Sequence, residues 1–136
     1  MELKAEILLP GGPANGRCLA LTAPISFWGG VDPATGTIID ARHPQHGRNV
    51  AGTILALPGT IGSSSASAVL LELVHAGRAP AALLLDAPDA ILLLGLVVAR
   101  EMGWQAPPAF RLPAAKQADL DGLKLAISVA GMIAAG

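Results

Sequence analysis

The stretch that decides the fold is residues 50–77, VAGTILALPGTIGSSSASAVLLELVHAG. Its first part, residues 50–57, is an apolar run typical of a buried strand, and Pro58-Gly59 predicts a turn after it. Beyond the serines, apolar residues recur at i, i+3, i+4 and i+7, so they share one helical face: Ala66, Val69, Leu70 and Leu73. Gly77 is suited to end that helix. The stretch therefore predicts a strand at 50–57 and a helix from about 64 to 76.

A run of three serines, Ser63 to Ser65, follows Gly62 at the predicted helix start. Backbone N–H groups lack intrahelical partners there, and the helix dipole favours negative charge. Together with the hydroxyls, these donors predict a binding site for a carboxylate or a phosphate. The spacing alone equally supports a plainer interpretation, in which one serine caps the helix and the others are small turn residues. Neither a Walker loop nor a G-x-S-x-G elbow surrounds the serines, which argues against nucleotide hydrolysis and esterase chemistry.

The rest of the chain is rich in predicted strands before residue 57 and alternates afterwards. Strands are expected at 3–9 and 17–21, and residues 32–36 predict the turn of a hairpin whose second strand is 37–40. A loop at 41–49 follows. After the first helix we expect a strand at 81–85, a helix capped by Asp89 and ended by Gly103, and weaker strands at 110–112 and 123–129. Residues 131–136 are expected to fray or to dock as apolar chain. This order predicts an α/β fold, a sheet or half-barrel with helices packed against it.

Composition narrows the function classes. The 136 residues are sufficient for a single domain, 1–136, and 14% are charged against roughly 25% in typical soluble chains, so a partner is expected to cover part of the surface. A net charge of −1 and the absence of Tyr argue against nucleic-acid binding. No apolar stretch reaches the roughly 20 residues of a membrane span, and no secretion signal is visible. The single cysteine, Cys18, excludes an internal disulfide and a cysteine-held cluster built from this chain alone. We therefore predict a cytoplasmic protein.

A few other residues have a functional and a structural interpretation. His43 and His46 have a spacing that invites a metal site, but a third ligand is lacking, so we predict solvated loop histidines and no metal. The Gly29-Gly30 backbone is a candidate for close approach to a substrate. Phe27 and Trp28 are either core residues or interface anchors, and burial decides between these.

Four stretches carry a family resemblance: PISFWGGVDPATGTIID (24–40), HPQHG (43–47), residues 50–74 of the deciding stretch, and DAPDAILLLGLVVAREMG (86–103). They resemble the small subunit, or swivel domain, of the aconitase X group of dehydratases, over about residues 20–104. The most specific element is Gly-Gly-Val-Asp-Pro followed about thirty residues later by Gly-Ser-Ser-Ser. The resemblance implies a swivelling β/β/α fold. It also implies a partner large subunit that supplies an iron–sulfur cluster and most substrate contacts, with no cofactor bound by this chain.

The resemblance also implies that Ser63 takes part in catalysis. Ser63 matches the serine that acts as catalytic base in aconitase-type enzymes, and a serine is a poor base unless its alkoxide is stabilised by N–H donors and cations. Gly62, Ser64, Ser65 and Gly30 are the accompanying candidates for substrate binding. The family contains cis-3-hydroxy-L-proline dehydratases in bacteria and mevalonate 5-phosphate dehydratases in archaea. Three lysines against six arginines favour a bacterial source, and therefore hydroxyproline, while the phosphorylated substrate stays open.

One departure from the aconitase pattern concerns carboxylate binding. Ordinary aconitases place an arginine after two serines, where it grips a carboxylate as a bidentate partner, whereas this chain has Ser65. Arg42, Arg48 or groups of the partner subunit are the candidate replacements. A rival hypothesis from another class is a non-catalytic swivel module that binds a small anion or a protein and regulates it.

Overall fold

The computed structural model describes residues 2–62 and 64–135, and strands and helices make up about half of them. The strands are β1 (Glu2–Lys4), β2 (Glu6–Leu9), β3 (Ala14–Ala20), β4 (Ile54–Leu57), β5 (Ala82–Leu85), β6 (Ala109–Arg111), β7 (Lys124–Ile127) and β8 (Met132–Ala135). The helices are α1 (Phe27–Gly30), α2 (Ala66–His75), α3 (Ala90–Glu101) and α4 (Ala114–Gln117), and α4 continues into a 3-10 turn at Ala118–Leu120.

The strands form one sheet in the order β1-β8-β7-β3-β4-β5-β6-β2. The central strands β3, β4, β5 and β6 are parallel neighbours, and antiparallel pairs flank them. The two ends of this order, β1 and β2, are consecutive in the chain and are separated only by Ala5, whose N–H donates to the Gly131 carbonyl at 2.9 Å. The sheet is therefore wrapped round into a barrel.

Two apolar cores result from this arrangement. Apolar residues of different sizes fill the barrel interior, among them Cys18, Ile54, Leu84 and Phe110. A second core lies between the outer face of β4 and β5 and the helices, where alternate strand residues such as Leu55 meet helical residues such as Leu70. All four residues of β4 are buried, since this strand is covered on both faces. The low charge of the sequence thus reflects two cores in a short chain.

Helices α2 and α3 lie against each other on the outside of the barrel. Their close approach depends on Gly95, because a Cβ there would lie 2.9 Å from the carbonyl oxygen of Ser67. Ser67 belongs to the first turn of α2, so the crossing of the helices fixes where that turn lies. Gly77, with φ of 71°, follows α2 as predicted.

The predicted fold class is confirmed: the chain is α/β, with helices packed against a sheet that closes. The predicted start of the strand at residue 50 is wrong. Residues 50–53 form a turn and not the first half of a strand, because Gly52 has φ of 71° and its N–H donates to the Ala79 carbonyl. Of the two alternatives given for the end of the chain, docking is confirmed for residues 132–135, which form β8 between β1 and β7.

The predicted hairpin is present only in part. Residues 33–35 form the turn, closed by an N–H of Gly36 that donates to the Asp32 carbonyl at 2.8 Å. The segment 37–40 makes only isolated bridges, from Ile38 to Val31 and from Thr37 to Asn49. Residues 31–50 are therefore a looped excursion that lies outside the sheet.

Candidate functional site

The candidate site lies where the parallel strands β4 and β5 end. Residues 58–65 lead from β4 into α2, and residues 86–89 lead from β5 into α3. Between these two loops lies an open cavity of about 470 Å³. Its walls include Pro58, Thr60, Gly62, Asp86, Asp89 and Ile91. Ligands of open α/β sheets bind at this carboxyl edge, so the cavity has the expected position for a binding site.

The start of α3 is closed by a side-chain cap. Asp89 Oδ1 accepts the N–H groups of Ile91 and Leu92 at 3.0 and 3.1 Å, as the sequence predicts. Its other oxygen, Oδ2, accepts the hydroxyl of Thr60 at 2.5 Å. Asp89 thus stabilises its own helix and fastens the β4–α2 loop to it.

The start of α2 is built differently. Ser65 is the N-cap residue, and its carbonyl accepts the N–H groups of Ala68 and Val69 at 3.1 and 3.2 Å, but its side chain makes no cap hydrogen bond. Gly62 and Ser64 are both exposed, and Gly62 lines the cavity. The plainer interpretation, in which a serine hydroxyl caps this helix, does not hold for Ser65. Ser63, the predicted catalytic base, lies outside the described residues.

Helix α4 forms hydrogen bonds with the residues at which the β4–α2 and β5–α3 loops begin. Gln117, which is 2% exposed, donates from Nε2 to the carbonyls of Leu57 and Leu112 at 3.0 and 2.9 Å. The Ala114 N–H donates to Asp86 Oδ1 at 2.8 Å. One short helix therefore holds the last residue of β4 and the first residue after β5. This support fixes the edge from which both loops depart.

Gly30 and Arg42, the other predicted substrate-binding residues, belong to the segment beside this edge. Gly30 is buried in α1, and its carbonyl accepts the Ile39 N–H at 2.9 Å. The exposed neighbour, Gly29, has φ of 78°. Arg42 is exposed on the loop 41–47, and its backbone N–H donates to Asp40 Oδ1 at 3.0 Å. Close contact of either residue with a substrate stays a prediction.

The expectation of two solvated loop histidines is wrong for His43. This side chain is 6% exposed, its Nε2 lies 3.0 Å from the Ala23 carbonyl, and its Nδ1 accepts the Gln45 N–H at 3.0 Å. Gln45 Oε1 in turn accepts the Thr22 N–H at 3.0 Å. His43 therefore anchors the Arg42 loop beside the residues that follow β3, whereas His46 is exposed.

Within 2–62 and 64–135, no three His, Cys, Asp or Glu side chains come together as a metal site. A cysteine-held cluster does not fit Cys18, because burial, reinforced by the Asp121 carboxylate, raises the pKa of that thiol to about 12. In the part of the chain that the structure describes, no helix has the length and apolar character needed to cross a membrane.

Sequence reasoning missed three residues of this edge. Thr60 and Asp86 line the cavity and Gln117 supports it. Asp86 directly follows a predicted buried strand, and that position is a usable signal for a residue at the carboxyl edge. No local pattern indicates the role of Gln117, because its side chain bonds to the carbonyl of Leu57, 60 positions earlier in the chain.

Comparisons with known proteins define the class to which this chain belongs. A family model for the aconitase X swivel domain matches residues 2–132. The crystal structure of Thermococcus kodakaraensis aconitase X in its holo-form superposes with a TM-score of 0.86 at 28% identity, covering 100% of this chain and 98% of that chain. The fold is therefore that of an aconitase-type swivel domain, and the chain belongs to the aconitase X swivel-domain family.

Individual relatives carry dehydratase names. The chain is 50% identical over 108 residues to cis-3-hydroxy-L-proline dehydratase of Pseudomonas aeruginosa, which covers 76% of this chain but 19% of that protein. It is 41% identical over 99 residues to the phosphomevalonate dehydratase small subunit of Methanothermobacter thermautotrophicus, covering 73% of this chain and 75% of that subunit. The chain thus spans about a fifth of the Pseudomonas relative and most of the archaeal one.

Proposed function

We propose that this chain is the small subunit of an aconitase X-type hydro-lyase that dehydrates a small hydroxy acid and is active only with a large subunit. The observation that carries this proposal is the Gly-Ser-Ser-Ser stretch between the β4 edge and the start of α2, in a member of a family whose relatives are named dehydratases. We treat residues 1–136 as one swivel domain and the protein as cytoplasmic.

In this mechanism Ser63 is the catalytic base. Its alkoxide removes the proton on the carbon next to the substrate carboxylate, and the C–OH bond at the β-carbon breaks to leave an alkene or enamine. The departing hydroxide takes up a proton and is released as water, and loss of the proton from the Ser63 hydroxyl restores the alkoxide. An alkoxide at neutral pH requires nearby positive potential, and the dipole of the ten-residue helix α2 contributes part of it. N–H donors and hydroxyls from Gly62, Ser64 and Ser65 bind the anionic substrate.

Further cationic groups come from two sources. Arg42 is on a loop that His43 anchors, and this loop belongs to the same end of the sheet as the serines, since it is fastened to residues that follow β3. The large subunit supplies the remaining substrate contacts and the iron–sulfur cluster, because this chain has a single, buried cysteine. Because Gly30 is buried in α1, its contribution to substrate binding comes from the backbone groups next to it.

The favoured substrate is cis-3-hydroxy-L-proline. The 50% identity to the Pseudomonas aeruginosa enzyme supports this choice, and a fungal enzyme of the same name, from Hypocrea jecorina, is 45% identical over 97 residues. Mevalonate 5-phosphate is the second candidate. It is favoured by the coverage of 75% of the archaeal small subunit, where the matched protein is itself a separate small chain.

The test is reconstitution with the aconitase X large subunit of the source organism, followed by dehydration assays with both substrates. Ser63→Ala is expected to lower the rate by about 10² to 10⁴, the usual cost of losing a general base. Ser128→Ala is the matched control, because Ser128 is in the β7–β8 turn, near the end of β3 away from the site. Activity of Ser63→Ala within a few-fold of the wild-type protein would contradict the catalytic assignment and favour a non-catalytic module.

A further inference from the structure

Three large apolar side chains are exposed on segments that backbone hydrogen bonds link to α1, the short helix that packs against α2. Trp28 is 61% exposed, Ile39 48% and Ile61 56%. They come from three separate segments, namely α1, the looped excursion 31–50 and the β4–α2 loop. We call them the apolar rim. Leaving several grouped apolar side chains in water is unfavourable. A surface that they share therefore indicates a binding site more strongly than one exposed side chain does.

The apolar rim is held together by the backbone beneath it. The Ile61 N–H donates to the Ile25 carbonyl at 3.0 Å, and the Ile39 N–H donates to the Gly30 carbonyl at 2.9 Å. Gly30 in turn lies against Ile25, since a Cβ at Gly30 would be 3.2 Å from Ile25 Cγ1. The Ser26 hydroxyl donates to the Trp28 carbonyl at 2.9 Å. The rim is therefore ordered before any partner arrives, which reduces the entropy lost on binding.

The rim is continuous with the candidate site. Ile61 directly precedes Gly62 on the cavity wall, and α1, which carries Trp28, packs against α2. Any chain that completes the site from outside must come close to these side chains. The Pseudomonas aeruginosa relative shows how much chain is available for this purpose, because about four-fifths of it lies beyond the region matched here.

We propose that the apolar rim is the docking surface for the large dehydratase subunit, with Trp28 as its central anchor. This inference rests on the proposed function. Trp is among the residues most often responsible for binding energy in interfaces, and Trp28 has the most exposed side chain of the three. Docking there places the large subunit beside the start of α2, where the substrate is expected to bind.

A second exposed apolar surface offers a matched control. The outer face of α3 exposes Leu94, Val97, Val98 and Met102, by 36 to 56%. At a rise of about 1.5 Å per residue, Met102 lies roughly 18 Å along α3 from the helix start, so this face leads away from the cavity. Truncation of Leu94 and Met102 removes exposed apolar surface without changing the three residues of the rim.

The experiment is a titration of the purified large subunit with this chain, followed by isothermal calorimetry. Trp28→Ala is expected to weaken binding by about 30-fold or more, as loss of an interface anchor does, and Ile39→Ala by a smaller factor. Leu94→Ala with Met102→Ala is expected to leave the Kd within about threefold. Urea unfolding of Trp28→Ala checks that the fold is kept. Ser63→Ala must bind like the wild-type chain, so loss of activity and loss of docking are separable.

Three results would overturn the inference. The first is a Kd for Trp28→Ala within threefold of the wild-type value, and the second is loss of binding in the α3 variant with the rim variants unaffected. The third is sedimentation showing that the isolated chain dimerises through Trp28, because the rim would then be occupied by a second copy. A full effect of Trp28→Ala on binding, with no dehydration by the wild-type complex, would support the docking surface and contradict the proposed reaction.

Discussion

The two helices that begin at the β4 and β5 edge start in different ways. At α3 a single carboxylate, Asp89, binds the first free N–H groups and also the neighbouring loop through Thr60. At α2 the sequence provides three hydroxyls and a glycine, yet the N-cap residue Ser65 makes no side-chain cap bond. The free N–H groups at the start of α3 are thus bound by a carboxylate, whereas the sequence provides only small polar groups at the start of α2. A carboxylate at the start of α2 would repel an anionic substrate, whereas hydroxyls and N–H groups attract it.

The largest effect on this comparison is expected from Gly95→Ala. The added Cβ would lie 2.9 Å from the Ser67 carbonyl oxygen, a backbone atom that cannot move without shifting the first turn of α2. We expect a loss of about 1–3 kcal/mol in the free energy of unfolding, together with a fall in dehydration rate. Urea unfolding and steady-state kinetics measure the two effects. Unchanged values for both would show that the helix crossing does not determine the position of the serines.

Alkaline pH is expected to act on the barrel and on neither helix start. Burial raises the pKa of Cys18 from 9.0 to about 12, so between these pH values the folded chain keeps a proton that the unfolded chain loses. Stability therefore falls as pH rises above 9, by at most about 1.4 kcal/mol per pH unit from this group. Unfolding titrations of the wild-type protein and Cys18→Ala from pH 8 to about 11 check this. Equal slopes for the two proteins would contradict this prediction. At neutral pH the contribution of Cys18 is absent, so the two helix starts can be compared without it.

Asp89→Ala is expected to cost about 0.5–2 kcal/mol of stability, because the first turn of α3 loses its cap. The Thr60 hydroxyl loses its acceptor as well, so the β4–α2 loop is expected to loosen. Hydrogen exchange of the Ile91 and Leu92 amides, compared with the wild-type protein, locates the effect. Asp89→Asn is the control, since it keeps an acceptor at Oδ1. Protection unchanged in Asp89→Ala would mean that the cap contributes little.

The smallest effect on stability is expected from Ser64→Ala. Ser64 is exposed beside the start of α2, and surface substitutions of this kind usually change stability by less than about 0.5 kcal/mol. The proposed role in substrate binding predicts a rise in KM instead. A stability loss as large as that of Asp89→Ala, with KM unchanged, would assign the hydroxyl to capping and weaken the contrast between the helices.

Local patterns in the sequence were sufficient for much of the architecture. The helix face of Ala66, Val69, Leu70 and Leu73 and the cap at Asp89 follow from spacing and residue chemistry within one or two turns, and both are found. The start of β4 was missed, because Gly52 with its positive φ redirects a run that is apolar enough to be a strand. The strand β8 was missed because its stability comes from pairing with β1, more than 120 residues earlier.

The residues of the candidate site also divide into those with a local sequence signal and those that depend on long-range contacts. The Gly-Ser-Ser-Ser stretch is a local signal, and the sequence alone placed it between a strand and a helix. The support from Gln117 and the burial of His43 are long-range contacts with chain segments that no pattern connects to them. Exposure could not be read from composition either: Phe27 is 1% exposed and the adjacent Trp28 is 61% exposed, although both are aromatic residues of one short segment.

The central claim is that the serine-rich start of α2 serves chemistry, whereas the acid-capped start of α3 serves the fold. The most direct test measures the free energy of unfolding of Ser63→Ala in the isolated chain and its dehydration rate in the reconstituted enzyme. We predict a stability within about 0.5 kcal/mol of the wild-type value and a rate lower by at least about 10². A variant that loses about 1 kcal/mol of stability, as an ordinary cap would, and keeps its rate would contradict the account.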